Sequence, residues 1–390
     1  MVHPHIFAGG AEKAIVYLAY HLGKLGHEAV VCTLSTELDD LPPVARDVRY
    51  LVAEKPTPPP EFKGVMAAFH SLIGEVRMLE RLVRDALDDY DLLIPCNFPA
   101  YWSTYSYRSL QPIVWISSEV FGPYNASRDL YDTNRLFRLA ADAGAYLDRH
   151  IVRKSVDSVV TCSELNRQLI KERYRLDAAV IPTGVDYSFF SQNCSDAKEE
   201  LGLRDSYVLL HVGALVKRKN QILSIRALHR LKRRIPNARL IIVGNGPWEP
   251  ILKDEVQELS LDGEVLFAGR VSEAKLKLLY HACDVNVYPV EDQTYGLVPF
   301  EAFAAGKPSL VSEQSGAGLV MAREGLGYLI RPDVDSIVEE TLRIRSNGQE
   351  TQSIVEKARA YVRDNLSWDV YASRIAQVCE SVNHSWQEDA

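Results

Sequence analysis

Apolar residues at Ile15, Leu18, Leu22 and Leu25 recur every three or four positions, Gly26 ends the run, and a β-branched stretch from Ala29 to Thr33 follows. This spacing predicts a helix that feeds a strand. Short, unalternated apolar runs return at Leu92 to Ile94, Ile113 to Ile116 and Val159 to Cys162, the last followed by a helix from about Ser163. Runs without polar alternation belong to sheets covered on both faces, and their alternation with helices predicts a parallel sheet. The prolines at 56, 58, 59 and 60 predict a surface loop before a long helix from about Val65 to Leu87.

The alternation restarts after the polar stretch Ser191 to Glu200. Strands are expected at Tyr207 to Val212, Leu240 to Val243, Val265 to Phe267, Val285 to Tyr288 and Ser309 to Val311, with helices running to Arg234, over Lys275 to Ala282 and up to Ala305. The second half therefore reads as a further doubly wound unit. Tyr371, Ile375, Val378 and Val382, spaced four, three and four, mark an amphipathic final helix. If Gly9-Gly10 is the turn after the first strand, only Met1 to Phe7 remain to build that strand, and Pro4 lacks a ladder donor. The first strand is expected to be clipped.

Composition narrows the class. The chain has 390 residues, 47% hydrophobic and 25% charged, with 44 basic and 52 acidic side chains for a net charge of −8. That length suggests two or three globular domains, and the acidity argues against nucleic acid as partner. The six cysteines form no C-x-x-C pair, which excludes a written zinc or redox motif and fits reduced thiols in a cytoplasmic protein. No apolar run approaches the roughly 18 residues of a membrane span, and no signal segment is visible. The helix with Val76, Leu79, Leu82, Val83 and Leu87 beside Arg77, Arg81 and Arg84 leaves two readings, a core-facing helix and peripheral contact with a bilayer.

Candidate chemistry gathers where strands end. Gly9-Gly10-Ala11-Glu12 opens a helix and can present bare N–H groups to an anion, or serve as a plain turn. Strand Tyr207 to Val212 ends at Gly213, and Arg218-Lys219-Asn220 then opens a helix. Two cations there suit a diphosphate, or form an exposed basic loop. Gly244-Asn245-Gly246-Pro247 and Gly269-Arg270-Val271 also follow strands, where open α/β sheets bind ligands. The richest stretch is Glu291-Asp292-Gln293-Thr294-Tyr295-Gly296-Leu297-Val298-Pro299-Phe300-Glu301. Gly296 permits close backbone approach, Leu297 and Val298 present N–H groups, and Glu301 is placed to accept from vicinal hydroxyls. Asp333-Val334-Asp335 follows Pro332 at a helix start and reads as an N-cap, so no metal is expected.

These stretches, with Ser163, Ile181-Pro182-Thr183-Gly184-Val185-Asp186 and Leu366-Ser367-Trp368, resemble a family 4 glycosyltransferase over nearly the whole length. The resemblance implies an α/β GT-B fold, two Rossmann-like doubly wound domains facing across a cleft. Residues 1–185 would be the acceptor-side domain, with 368–390 packing back on it, and residues 186–367 the nucleotide-sugar domain. It implies retaining transfer of a hexosyl unit from a UDP- or GDP-hexose to a glycan or lipid-linked acceptor. Carried over, Glu301 matches the ribose-binding glutamate and Lys219 the diphosphate lysine. Leu297 and Val298 match backbone phosphate donors, Arg270 and Val271 the edge of the base pocket, and Gly9-Gly10 a loop facing the diphosphate from the other domain.

The chain departs from the family pattern at three positions. Gln293 stands eight residues before Glu301, where the family carries a second glutamate. An amide cannot be a carboxylate nucleophile, which favours a front-face route with the leaving phosphate as base and Lys219 stabilising it. Ala214 replaces a frequent arginine and leaves Arg218 as substitute cation. Ser118, with Glu119 beside it, replaces a first-domain histidine. The three together keep a catalytically inactive nucleotide- or glycan-binding subunit as the rival reading, with a GT-B epimerase or phosphorylase behind it. Acceptor recognition is expected in the loops Tyr101 to Tyr107 and Phe121 to Tyr131, whose aromatics either stack on sugar or pack.

Overall fold

The computed structural model describes residues 1–7, 9–39, 41–53, 65–120 and 135–389. Ala8, the prolines at 56–60 and the expected acceptor loop at 121–131 lie outside the described residues. The chain divides into two compact units, Met1–Thr183 with Trp368–Ala390, and Gly184–Ser367.

In the first unit every strand pair is parallel. β1 (His5–Ile6) pairs with β3 (Ser35–Thr36), β2 (Val30–Thr33) with β4 (Arg49–Val52), and β5 (Val114–Ser117), β6 (Ser158–Thr161) and β7 (Ala179–Val180) lie side by side. Isolated bridges from Val2 to Cys32 and Pro95, and from Leu93 to Ile113 and Cys96 to Ile116, join these pieces. The run at Leu92 to Ile94 is thus a line of bridges rather than the expected strand, because Pro95 offers no ladder donor. The first strand is short for the same reason. Pro4 donates nothing, although its carbonyl accepts from Leu34 N at 2.9 Å.

Long helices cover this sheet. In α2 (Val65–Ala86), Leu79 and Val83 are buried while Arg77, Arg81 and Arg84 are exposed, so its apolar stripe faces the core. The aromatics of Tyr101 to Tyr107 pack: Tyr101, Trp102 and Tyr107 are buried, and the fully buried Asp148 accepts from Tyr101 Oη at 2.7 Å, Tyr174 Oη at 2.6 Å and Trp102 Nε1 at 3.0 Å. A buried carboxylate needs such donors to repay its lost hydration. The last helix (Trp368–Asp389) buries Trp368, Tyr371, Ala372 and Ile375 along one stripe, and Trp368 stacks on Tyr17 with ring centroids 4.5 Å apart. Tyr17 lies in α1 (Gly10–Lys24).

The second unit is one six-stranded parallel sheet. Its strands are β8 (Tyr207–Val212), β9 (Ala238–Val243), β10 (Val265–Gly269), β11 (Val285–Tyr288), β12 (Ser309–Ser312) and β13 (Tyr328–Ile330), in the order β10-β9-β8-β11-β12-β13. Counted within the unit this is 3-2-1-4-5-6, the Rossmann order, whose direction reverses between β8 and β11. The helix Gln221–Leu231 buries Ser224, Ile225, Leu228 and Leu231 against the sheet. Helices Glu249–Glu258, Gly316–Glu324 and Gly348–Asn365, and the strand β13, exceed the expected set. The first starts beside Trp248 and Pro250 with charged residues on most faces, which hides its periodicity, although Leu252 and Val256 make an i, i+4 buried pair.

Two buried histidines make the fold sensitive to acid. Burial pushes His3 down to about 4 and His211 down to about 3, so both stay neutral in the folded protein while the unfolded chain binds protons near pH 6.5. Their contribution is intact above roughly pH 6.5 and is lost as pH falls toward those values, at up to about 1.4 kcal/mol per pH unit for each. Urea unfolding at pH 7 and pH 5 should show this loss, and His211→Asn should make it smaller for the second unit. An unchanged pH dependence in the variant contradicts the assignment.

Candidate functional site

Two of the second unit's expected ligand residues, Lys219 and Gln293, meet at the switch point between β8 and β11. The loop after β8 and the loop after β11 are stitched together. Glu291 N donates to Arg218 O at 3.1 Å, and Asn220 Nδ2 donates to Pro289 O at 3.0 Å and to Glu291 Oε2 at 2.5 Å. Asn220 adopts a left-handed φ of 56°, which asparagine tolerates better than most residues. It thereby ends the tight turn at Lys217–Lys219 and starts the next helix.

Lys219 is buried to 9% exposure, with its stem against Gly213 and its ammonium donating to Gln293 Oε1. The same oxygen accepts from Tyr288 Oη at 2.8 Å, and Lys219 Nζ lies 5.5 Å from the Tyr288 ring centroid. Burial pushes the Tyr288 phenol far up from its usual value, so it serves as a neutral donor. Gln293 is held from behind as well, its carbonyl accepting from Gly316 N at 2.9 Å. Gly296, at φ 136°, has room for no side chain, since a Cβ there would overlap the Tyr288 hydroxyl.

Gly244 has a different explanation. At φ 127° its missing Cβ lets the loop after β9 lie directly on the Gly213 carbonyl, and Gly246 rests on Leu215 in the same way. Leu215 N donates to Asn245 O at 2.9 Å and Trp248 N to Leu215 O at 2.9 Å. Backbone packing between neighbouring strand ends therefore accounts for both glycines. Asn245 and Arg270 are exposed at the ends of β9 and β10, and Val271 is half-buried.

Glu301 lies one turn into the helix Val298–Ala304, which Leu297 precedes. Its Oε2 accepts from Tyr280 Oη at 2.7 Å. Tyr280 is fully buried, and desolvation with the Glu301 charge drives its phenol far up, so its proton stays on oxygen. Sequence reading missed Tyr280, which looks like one more apolar position of its helix. Tyr295 is buried and stacks on Phe300 with centroids 5.5 Å apart, so its ring belongs to the core and its backbone alone can face a ligand. Asp333 caps its helix by accepting from Ser336 N at 2.7 Å, and Asp335 pairs with Arg230.

The first unit holds the remaining candidates. Gly9 stands at the N-cap position of α1, and the Glu12 carboxylate folds back over it. Burial raises the pKa of Glu12. The acidic group at this helix start is thus supplied by the protein, a feature that the Gly9-Gly10 pattern alone does not reveal. Ser118 N donates to Asn97 Oδ1 at 2.8 Å, and the Glu119 carbonyl accepts from Ser117 Oγ at 3.2 Å.

Comparisons with known proteins agree with this architecture. The family model described as Glycosyltransferase Family 4 matches residues 8–189, and the model described as Glycosyl transferases group 1 matches residues 195–361. The chain is 26% identical to the phosphatidyl-myo-inositol mannosyltransferase of Mycolicibacterium smegmatis over 98% of this chain and 93% of that protein. It is 32% identical to an uncharacterized glycosyltransferase of Methanocaldococcus jannaschii over 51% of this chain, and the match spans about half (53%) of that relative. Among solved structures, Anabaena HepE in complex with UDP-glucose superposes with a TM-score of 0.76 at 18% identity, covering 97% of this chain and 98% of that one. The two family models together account for most of the sequence, and the protein belongs to the family 4 glycosyltransferases of the GT-B fold.

Proposed function

We propose that this glycosyltransferase moves a hexosyl unit from a UDP- or GDP-hexose to a glycan or lipid-linked acceptor with net retention, the second unit holding the nucleotide sugar and the first the acceptor. The observation that carries the reading is the convergence of Lys219, Gln293 and the Tyr280-supported Glu301 around the strand ends next to the Rossmann switch point. Glu301, with one oxygen held by Tyr280, can accept from ribose hydroxyls. Lys219, Arg218 and the N–H groups of Leu297 and Val298 would meet the diphosphate, with Gly213 leaving space beside the lysine. Backbone around Asn245, Gly246, Arg270 and Val271 would border the base. The relative that acts on phosphatidyl-myo-inositol supports a lipid-linked acceptor, and the UDP-glucose complex supports a nucleotide hexose donor.

In the front-face route the acceptor oxygen bonds to the anomeric carbon as the bond to the leaving phosphate oxygen breaks. The acceptor proton passes to that phosphate oxygen. Lys219 and Arg218 stabilise the charge that develops on the diphosphate. Gln293 cannot form a glycosyl ester, so the chemistry needs no covalent intermediate at that residue.

A panel of UDP- and GDP-hexoses should give binding and slow hydrolysis with at least one donor. Binding without turnover under every acceptor condition contradicts the reading. Glu301→Ala should raise the nucleotide Kd about tenfold or more, whereas Lys219→Ala should lower kcat by about 10²-fold or more. Full nucleotide affinity in Glu301→Ala removes the proposed ribose contact. Proton NMR of the first product formed should show the donor's anomeric configuration, and an inverted product contradicts the front-face route.

A further inference from the structure

A polar chain in the first unit lies outside the site described above. His5 and Glu75 are both buried, and His5 Nε2 lies 3.1 Å from Glu75 Oε1. The other ring nitrogen, Nδ1, lies 2.8 Å from Ser35 Oγ. His5 and Ser35 are register partners on the parallel strands β1 and β3, and Glu75 reaches them from α2. The His5 main-chain carbonyl is held as well, by the His3 ring with Nδ1 at 2.9 Å.

This chain runs from the interior to a rim. Thr33 and Leu34 are buried, Ser35 and Thr36 half-buried and Glu37 exposed, so Ser35 stands where the carboxyl end of β3 emerges. β1 is also where the first unit's strand order reverses, with β3 on one side and, through Val2, the line at Pro95 on the other. Open α/β sheets bind ligands in the crevice at such a place. Among the described residues the Ser35 hydroxyl has no partner but His5.

The partners decide what Ser35 can bind. A carboxylate only accepts, so Nε2 holds a hydrogen toward Glu75. With His5 neutral, Nδ1 is a lone pair, Ser35 donates to it and can only accept from a ligand. With His5 protonated the roles reverse, and Ser35 can donate. A ligand hydroxyl is donor and acceptor at once and pairs with Ser35 in either state, whereas a phosphate oxygen suits only one. We propose that Ser35 contacts a hydroxyl of a sugar or polyol acceptor, and that His5 and Glu75 are positioning residues that hold the serine for it. The proposal rests on the reading that the first unit takes the acceptor.

The test uses the full chain with UDP-glucose or GDP-mannose as donor and with myo-inositol, methyl α-glucopyranoside and methyl α-mannopyranoside as acceptors. Wild type should transfer to at least one of them. For that acceptor Ser35→Ala should raise KM about fivefold or more, with a smaller change in kcat, and Ser35→Thr, which keeps the hydroxyl, should recover most of the loss. His5→Gln should raise the same KM in the wild-type chain but add little to Ser35→Ala, because residues that act through one contact are not additive. An unchanged acceptor KM in Ser35→Ala, or equal losses in Ser35→Ala and Ser35→Thr, overturns the proposal. A loss that falls on the donor's Kd instead places the hydroxyl on the donor sugar and overturns the acceptor contact. Donor hydrolysis that none of these acceptors accelerates overturns it as well. If wild type binds neither donor, the proposed donor class itself fails, a result distinct from losing the Ser35 contact alone.

Discussion

The hydrogen bonds that stitch the loop after β8 to the loop after β11 are the constraint on which the rest of the second unit's site depends. Without Asn220 on Pro289 and Glu291, and Glu291 on Arg218, the two strand ends next to the switch point would be independent surface loops. Stitched, they become one frame in which Lys219, Tyr288 and Gln293 hold one another. Gly296 makes the frame possible by leaving room for the Tyr288 hydroxyl. A side chain there would force the tyrosine away from Gln293 and release the lysine.

The contacts within the frame differ from the ionic clamps elsewhere in the chain. Asp284, half-buried at the opposite end of the seam, ties Lys198 to the β8 backbone. Asp148 in the first unit gathers hydroxyl, indole and guanidinium donors around one buried carboxylate. Each anion is consumed in holding elements together. Near the switch point Lys219 donates to a neutral amide and Glu301 accepts from a neutral phenol. An acidic chain with a net charge of −8 has little general attraction for a diphosphate, so recognition must come from a few cations aimed locally.

Legibility in the sequence followed the physics of each element. Buried parallel strands such as Leu240 to Val243 were readable because both faces are covered and the apolar run is unbroken, and Val285 to Tyr288 because Asn286 alone interrupts its run. The short edge strands β4 and β13 were not, since exposed residues interrupt them, and the helix Glu249–Glu258 hid behind its charges. Gly213, Lys219, Gln293, Gly296 and Glu301 could be picked out because glycine and charge at strand ends are local signals. Tyr288 reaches Gln293 across 5 residues, Tyr280 reaches Glu301 across 21, and Asn220 ties the two loops together across 71, by contacts that only folding creates. The Glu12 carboxylate folded over Gly9 and the core packing of Tyr101 and Trp102 were equally invisible, because one residue type serves a ligand or a neighbour depending on tertiary context.

Amide hydrogen exchange with and without the donor nucleotide tests the central claim most directly, because it reads both stitched loops at once. The account predicts slowed exchange in residues 213–220 and 290–301 on addition of the preferred UDP- or GDP-hexose, with residues 207–210 at the opposite end of the same seam unchanged. Protection confined to other parts of the chain, under conditions where the nucleotide is bound, would contradict it.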